Sequence, residues 1–195
     1  MLPVRGKILN TQKATLDKIQ KNAEIMTMID AFGLTIDPKT MKVTYRPEDL
    51  RYGKIIIMSD ADVDGSHIKN LFYTFIWNFC PELIKDGYVY AGVPPLYKIT
   101  IGKEYKYLKN DEALEEFRAS HQGRKYTVNR LKGLGEMDPE EMAETVMSAD
   151  TRILKQITME DAAQVASVFM NLMGESVTPR KKFIEENAER ANIDV

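Results

Sequence analysis

The chain has 195 residues, of which 44% are hydrophobic and 29% are charged, and its formal net charge is −2 at pH 7. This composition is typical of a soluble globular protein. No apolar run approaches the length of a membrane span, and the amino terminus lacks a signal-peptide pattern, so we expect no membrane partner. A net charge near zero does not favour nucleic-acid binding by the chain as a whole, so such binding would need local basic patches.

The single cysteine, Cys80, excludes an internal disulfide and fits a reducing, cytoplasmic location. It lies on the apolar face of a predicted helix. We therefore expect a buried, inert thiol rather than a nucleophile.

The first residues open on a basic turn that contains Gly6 rather than on a capped element. We interpret Met1 as an expression start and the chain as a piece of a longer protein. Apolar spacing then predicts a helix around Leu16 and Ile19, and a second from Ile25 to Phe32 that ends at Gly33. Residues 34–46 are expected to be weakly extended, and a short helix is expected over 47–52.

Residues 54–58, with the apolar run Ile55 to Met58, predict a buried strand, and three aspartates come soon after it at Asp60, Asp62 and Asp64. Ligands of open α/β sheets bind at the carboxyl ends of strands, and clustered carboxylates repel one another unless a cation lies between them. Oxygen-only donors indicate a hard cation, magnesium or calcium, rather than zinc. We therefore predict a divalent-metal site. The alternative is an acidic turn without a metal.

An EF-hand does not explain these aspartates, because its twelfth loop position needs a glutamate and is Leu71 here. After Gly65 the apolar residues instead recur at helical spacing, at Ile68, Leu71, Phe72, Phe75, Ile76 and Phe79. A strand over 88–93 then follows. Strand, helix and strand predict a βαβ unit with a parallel sheet and a right-handed crossover.

A hairpin is predicted around residues 101–103, a helix over 111–119 and an extended segment over 126–131. Further helices are predicted to begin near Asp138, Thr158 and Thr178, the second of them with Val165, Val168, Phe169 and Leu172 facing inward. From about residue 126 the chain therefore reads as a mainly helical tail. We predict two domains, 1–125 and 126–195.

Basic residues beside glycines are candidates for phosphate binding, because backbone approaches a polyanion closely at glycine. Arg5 and Lys7 flank Gly6, and Arg130 and Lys132 precede Gly133. Lys69 is a further candidate. His67 could bind metal, contact DNA or simply be packed or solvated.

Four stretches together carry a family resemblance: residues 3–10, 60–68, Pro94 to Lys98 and Lys132 to Met137. In this order and spacing they resemble the B subunits of bacterial type IIA topoisomerases, and the carboxyl terminus (183–195) favours the gyrase branch over topoisomerase IV. The sequence departs from the family's usual pattern at 129–132 and at 142–143, and both departures concern packing near the tail.

The resemblance implies a TOPRIM domain with a Rossmann-like parallel sheet and flanking helices, followed by a tail domain. It implies magnesium held by Asp60 and Asp62 with Asp64 supporting, and a further glutamate from an upstream Glu-Gly-Asp-Ser-Ala motif that this chain lacks. It also implies DNA contacts at Arg5, Lys7, His67 and Lys132.

The implied activity is ATP-dependent DNA double-strand cleavage and religation, with ATP bound by an absent amino-terminal domain. The nucleophilic tyrosine would belong to an A subunit in an assembly of two A and two B subunits. Two alternatives remain, a stand-alone TOPRIM nuclease or primase and a scaffold that is catalytically silent in isolation.

Overall fold

The computed structural model describes residues 1–37, 39–40, 42–60, 62–131, 133–159 and 162–190, without the side chains of 162–166 and 190. Its helices are α1 (Leu16–Gln20), α2 (Ala23–Phe32), α3 (Val63–Phe79), α4 (Glu82–Lys85), α5 (Asp111–Ser120), α6 (Pro139–Met142), α7 (Ala162–Met173) and α8 (Val177–Asn187). Its strands are β1 (Thr35–Ile36), β2 (Val43–Thr44), β3 (Ile55–Ile57), β4 (Val89–Val93), β5 (Tyr97–Ile101), β6 (Glu104–Leu108), β7 (Thr127–Arg130) and β8 (Ile153–Gln156). The predicted α/β class is confirmed. None of the helices in these ranges is long and apolar enough to cross a bilayer.

The chain divides into two compact units, each assembled from separate stretches of sequence. Unit 1 comprises Met1–Ile55, Asn70–Tyr88 and the described part of Thr158–Val195, and unit 2 comprises Ile56–Lys69 and Val89–Ile157. A compact unit need not coincide with a domain, so the predicted domain boundary at 125/126 stays a prediction.

In unit 1 the predicted helix α2 has clear capping signals at both ends. The Asn22 side chain accepts a hydrogen bond from the Ile25 N–H at 3.0 Å, which satisfies one of the free donors of the first turn. Gly33 ends the helix at φ 82°, a left-handed conformation that suits glycine. Ile25 and Met28 are fully buried, as their helical spacing predicts.

Helix α3 confirms the apolar stripe that follows Gly65. Leu71, Phe75 and Ile76 are buried, and the ring of Trp77 stacks on Phe169 of α7 with 5.8 Å between centroids. Thr74 is also fully buried, and it satisfies its hydroxyl by donating to the Asn70 carbonyl at 2.7 Å.

Cys80 follows α3 directly and is 1% exposed. Its burial raises the pKa of the thiol to about 11, because desolvation disfavours the thiolate. A thiol with this pKa is protonated at neutral pH and therefore unreactive, which supports the predicted inert role.

In unit 2 one sheet has the strand order β3-β4-β8. Strands β3 and β4 are neighbours connected through α3 and α4, as the βαβ prediction requires. Strand β8 pairs antiparallel with β4, with Tyr90 opposite Gln156 and Val93 opposite Ile153. The sequence did not predict β8, since three of its four residues are exposed and it has no apolar alternation.

The second sheet of unit 2 has the order β6-β5-β7. The predicted hairpin joins β5 to β6 through Gly102, whose φ is 62°. Strand β7 pairs antiparallel with the other edge of β5, with Tyr97 opposite Arg130. Five buried side chains form the core between this sheet and α5: Tyr97, Ile99, Leu108, Leu114 and Phe117.

Helix α6 begins with a capping box, as predicted at Asp138, and continues as one π-helical turn over Ala143–Met147. Its residue Glu141 is buried, accepts a hydrogen bond from the Asp138 N–H at 3.1 Å and pairs with Lys98 of β5. The hydrogen bond from Lys98 lowers the pKa of Glu141, and the same bond raises the pKa of Lys98.

Replacing Glu141 by glutamine is expected to reduce the acid sensitivity of folding. A carboxyl group with a lowered folded pKa contributes stability above its unfolded pKa, about 4.3, and loses it as the pH falls through the folded value. Lys98, whose pKa is raised, contributes below about pH 10.4 and loses its contribution as the pH rises through its folded value. Urea unfolding from pH 7 to pH 3 should show wild type losing about 1 kcal/mol more than Glu141→Gln. Glu140→Gln is the control. Glu140 is the exposed neighbour of Glu141, so this variant should follow the wild-type curve. Equal acid losses in wild type and Glu141→Gln would contradict the pairing.

The carboxyl-terminal helices lie close to their predicted positions. Phe169 and Leu172 are partly buried, but the inward orientation predicted for Val168 is wrong because that side chain is 46% exposed. The side chain of Val165 and the stretch 191–195 lie outside the described residues.

Candidate metal centre

The acidic loop begins where β3 ends at Ile57, and it folds back tightly on the start of α3. The Ser59 hydroxyl donates a hydrogen bond to the Gly65 carbonyl at 2.9 Å. A Cβ added to Gly65 would lie 2.1 Å from the Asp60 carbonyl oxygen. Glycine is thus required here by the close approach of backbone, which fixes Asp60 beside the first helical turn.

Asp62 is the residue before α3, and its side chain caps the helix. Its Oδ1 accepts a hydrogen bond from the Gly65 N–H at 2.6 Å, the usual arrangement for an N-terminal cap. Asp64 lies in the first turn, where the helix dipole favours negative charge. Both side chains are exposed. The aspartates at alternate positions therefore also have a structural function.

Asp60 makes a contact that is distant in sequence. Its Oδ1 accepts a hydrogen bond from the backbone N–H of Leu134 at 2.8 Å. The preceding residue, Gly133, lies so close that an added Cβ would be 3.0 Å from the Asp60 Cγ and 3.1 Å from each carboxylate oxygen. The Asp60 carboxylate is thus oriented by backbone from another part of unit 2.

The donors of this loop suit magnesium in chemical type. They are carboxylate oxygens, and among the described residues no hydrogen bond is made to the Oδ2 of Asp60. The described residues contain no group of three or more His, Cys, Asp or Glu side chains placed to hold a metal together. Magnesium often keeps several waters and takes only one or two protein carboxylates, together with substrate phosphates. Asp60 and Asp62 supply two carboxylates, which is the number of protein ligands that such a site takes.

The residues that are predicted to contact DNA lie in both units. Arg5 and Lys7 are exposed in unit 1, on either side of Gly6, whose φ is 92°. His67 is exposed on the second turn of α3 in unit 2. Lys132 lies outside the described residues, so its predicted role has no structural test.

Sequence reasoning missed the role of Gly133 and Leu134 at this site. The sequence suggested that backbone at the glycines beside Lys132 approaches a polyanion. In the structure Gly133 lies against the Asp60 carboxylate. The two contacting segments are 74 residues apart. The glycine-rich composition of the turn was the only local signal.

Comparison with known families agrees with this architecture. Residues 1–91 match the model of the Toprim domain, and residues 123–185 match the model described as "DNA gyrase B subunit, carboxyl terminus". The fold and the acidic loop therefore define a Toprim-containing protein.

Curated relatives match along the entire chain. The DNA gyrase B subunit of Thermus thermophilus is 47% identical over 195 residues, that of Staphylococcus aureus 46% and that of Mycoplasmoides gallisepticum 44%. The chain covers 29 to 31% of the length of these relatives. Along its whole length the chain is thus similar to DNA gyrase B subunits, which confirms the predicted resemblance and its gyrase branch.

Proposed function

We propose that this chain is the part of a DNA gyrase B subunit that supplies the magnesium-binding acidic loop for DNA double-strand cleavage and religation. The observation that carries the proposal is the placement of Asp60 and Asp62. They lie in a tightly held loop between β3 and α3, inside a region that matches the Toprim domain. The chain spans about 30% of the length of its curated relatives. In the proposed assembly, ATP would be bound by another part of the B subunit and the nucleophilic tyrosine would belong to the A subunit.

The residues of this chain would have separate tasks in cleavage. Asp60 and Asp62 would hold magnesium, and Asp64 would add negative charge beside them. When bound, magnesium supplies positive charge that stabilises the 3′ oxygen leaving the DNA phosphodiester after attack by a tyrosine of the A subunit. Arg5, Lys7 and Lys132 would neutralise DNA phosphates without reading base sequence, and His67 would add a further DNA contact.

The alternative of a stand-alone nuclease or primase is less well supported. The match over residues 123–185 is to the gyrase B carboxyl terminus, which lies beyond the Toprim domain. Nothing in the described residues favours a second function over the gyrase role.

The test of the proposed function separates metal binding from helix capping at Asp62. Asparagine caps a helix as well as aspartate does, whereas alanine does not. In the complete B subunit assembled with its A subunit, Asp62→Asn and Asp62→Ala should both lower magnesium-dependent DNA cleavage, by about 10- to 100-fold. Only Asp62→Ala should also lower the free energy of unfolding, by about 1 kcal/mol. Wild-type cleavage by Asp62→Asn would show that the carboxylate is needed only as a cap.

A further inference from the structure

The turn that follows Gly133 reaches Asp60 from a distant part of the sequence. It consists of the 3₁₀ turn Leu134–Glu136, for which Gly133 is the preceding residue. The Leu134 N–H is not needed inside the turn, because the first N–H groups of a helical turn have no partner within it. Instead, it donates a hydrogen bond to Oδ1 of Asp60 at 2.8 Å.

Contacts with β5 and with the residue before it hold this turn on both sides. Before the turn, the Leu131 N–H donates to the carbonyl of Leu96 at 2.8 Å, extending the pairing of β7 with β5. After the turn, Glu141 of α6 pairs with Lys98 of β5. A donor held on both sides has few alternative positions, so its hydrogen bond can fix the direction of a carboxylate.

Glycine is present at position 133 for space rather than for backbone freedom. Its φ of −162° and ψ of 166° are extended values that any residue adopts. An added Cβ would nevertheless lie 3.0 Å from Cγ of Asp60, which is tighter than ordinary contact. At Gly135, in contrast, an added Cβ would meet nothing within 4 Å.

We propose that the Gly133–Leu134 segment is a positioning element for the metal-binding carboxylate of Asp60. The Leu134 N–H holds Oδ1 and the missing Cβ of Gly133 leaves room for the carboxylate, so that Oδ2 is directed to the cation. The inference rests on the proposed function of Asp60. Partners that orient a metal ligand in this way typically affect metal affinity or activity by about 10- to 100-fold.

A proline at position 134 removes the donor with little other change to the backbone. Proline is favoured at the first position of a helical turn, where its missing N–H is not required. The extended backbone of Gly133 is also what a residue before proline prefers. Leu134→Ala is the matched variant, because it shortens the side chain but keeps the N–H. The comparison of the two variants isolates the hydrogen bond.

A second pair tests the same element through space instead of hydrogen bonding. Gly133→Ala places its Cβ against the Asp60 carboxylate and should displace it by a few tenths of an ångström. Gly135→Ala adds the same methyl group two residues away into open space. If Leu134→Pro fails to fold, as judged by circular dichroism, this pair decides the question alone.

The activity test is a magnesium titration of DNA cleavage by the complete B subunit assembled with its A subunit. Leu134→Pro should require about tenfold more magnesium for half-maximal cleavage than Leu134→Ala, and Gly133→Ala about tenfold more than Gly135→Ala. Equal magnesium requirements within both pairs would overturn the positioning role.

A second measurement needs neither metal nor activity. In magnesium-free complete B subunit, hydrogen exchange at the Leu134 amide should be faster in Asp60→Ala than in Asp60→Asn, since the asparagine amide oxygen can still accept the bond. Equal exchange would show that Asp60 does not hold this amide and would overturn the inference.

The two proposals fail in different ways. If Asp60→Asn cleaves DNA normally while the amide exchange differs as expected, the contact exists but the metal-binding function of Asp60 is wrong. If Asp60→Asn loses cleavage while the two members of each variant pair need equal magnesium, only the positioning role is wrong.

Discussion

Replacing Gly65 by alanine is expected to lower the free energy of unfolding by about 3 kcal/mol. Helix propensity alone predicts the opposite sign, because alanine is favoured over glycine in a helix by about 1 kcal/mol. The added Cβ would, however, lie 2.1 Å from the Asp60 carbonyl and 2.9 Å from the Asp60 N. These are backbone atoms that cannot rotate away, so the loop must open, at a cost at the upper end for overpacking.

Urea unfolding followed by circular dichroism measures this loss. Gly53→Ala is the control, since an alanine Cβ there meets nothing within 4 Å, and it should change the free energy of unfolding by less than about 0.5 kcal/mol. A stabilised Gly65→Ala protein would show that the loop does not fold back tightly on α3.

Replacing Asp60 by asparagine is expected to reduce DNA cleavage by the complete assembly by at least about 100-fold. Stabilisation of a leaving oxygen by a bound metal is worth several kcal/mol, and each 1.4 kcal/mol corresponds to tenfold in rate. Asparagine keeps the shape of the side chain and an oxygen that can accept the Leu134 N–H, but it removes the charge. The loss should therefore occur without a change in folding.

Two measurements check this prediction together. DNA cleavage is followed in the assembled enzyme, and thermal unfolding is followed for the isolated B subunit. Lost cleavage with an unchanged melting temperature is the expected pair of results. A melting temperature that falls together with the activity would instead point to a structural function of the Asp60 charge.

Much of the fold was predictable because local signals carried it. The stripe from Leu71 to Ile76, the cap glycine Gly33 and the hairpin turn at Gly102 each depend on neighbouring residues. Strand β8 was not predictable, because its position comes from pairing with β4 rather than from its own pattern. Val168 was misplaced for a related reason, since helical spacing alone does not show which side of a helix is covered.

The candidate site was predictable only in part. The carboxylates could be found because three aspartates within five residues are unusual, and their oxygen-only chemistry indicated a hard cation. The cap made by Asp62 was not foreseen, although an aspartate before a helix often has this role. The contact between Leu134 and Asp60 depends on tertiary structure, so no local pattern encodes it.

The proposed role of Asp60 and Asp62 is to hold magnesium for DNA cleavage. Its most direct test is a magnesium titration of DNA cleavage by the complete assembly carrying both Asp60→Asn and Asp62→Asn. Asparagine retains the Asp62 cap and an acceptor for the Leu134 N–H, so folding should be preserved. No cleavage above background is expected at any magnesium concentration. A titration curve that coincides with wild type would show that these two carboxylates are not needed to hold the metal.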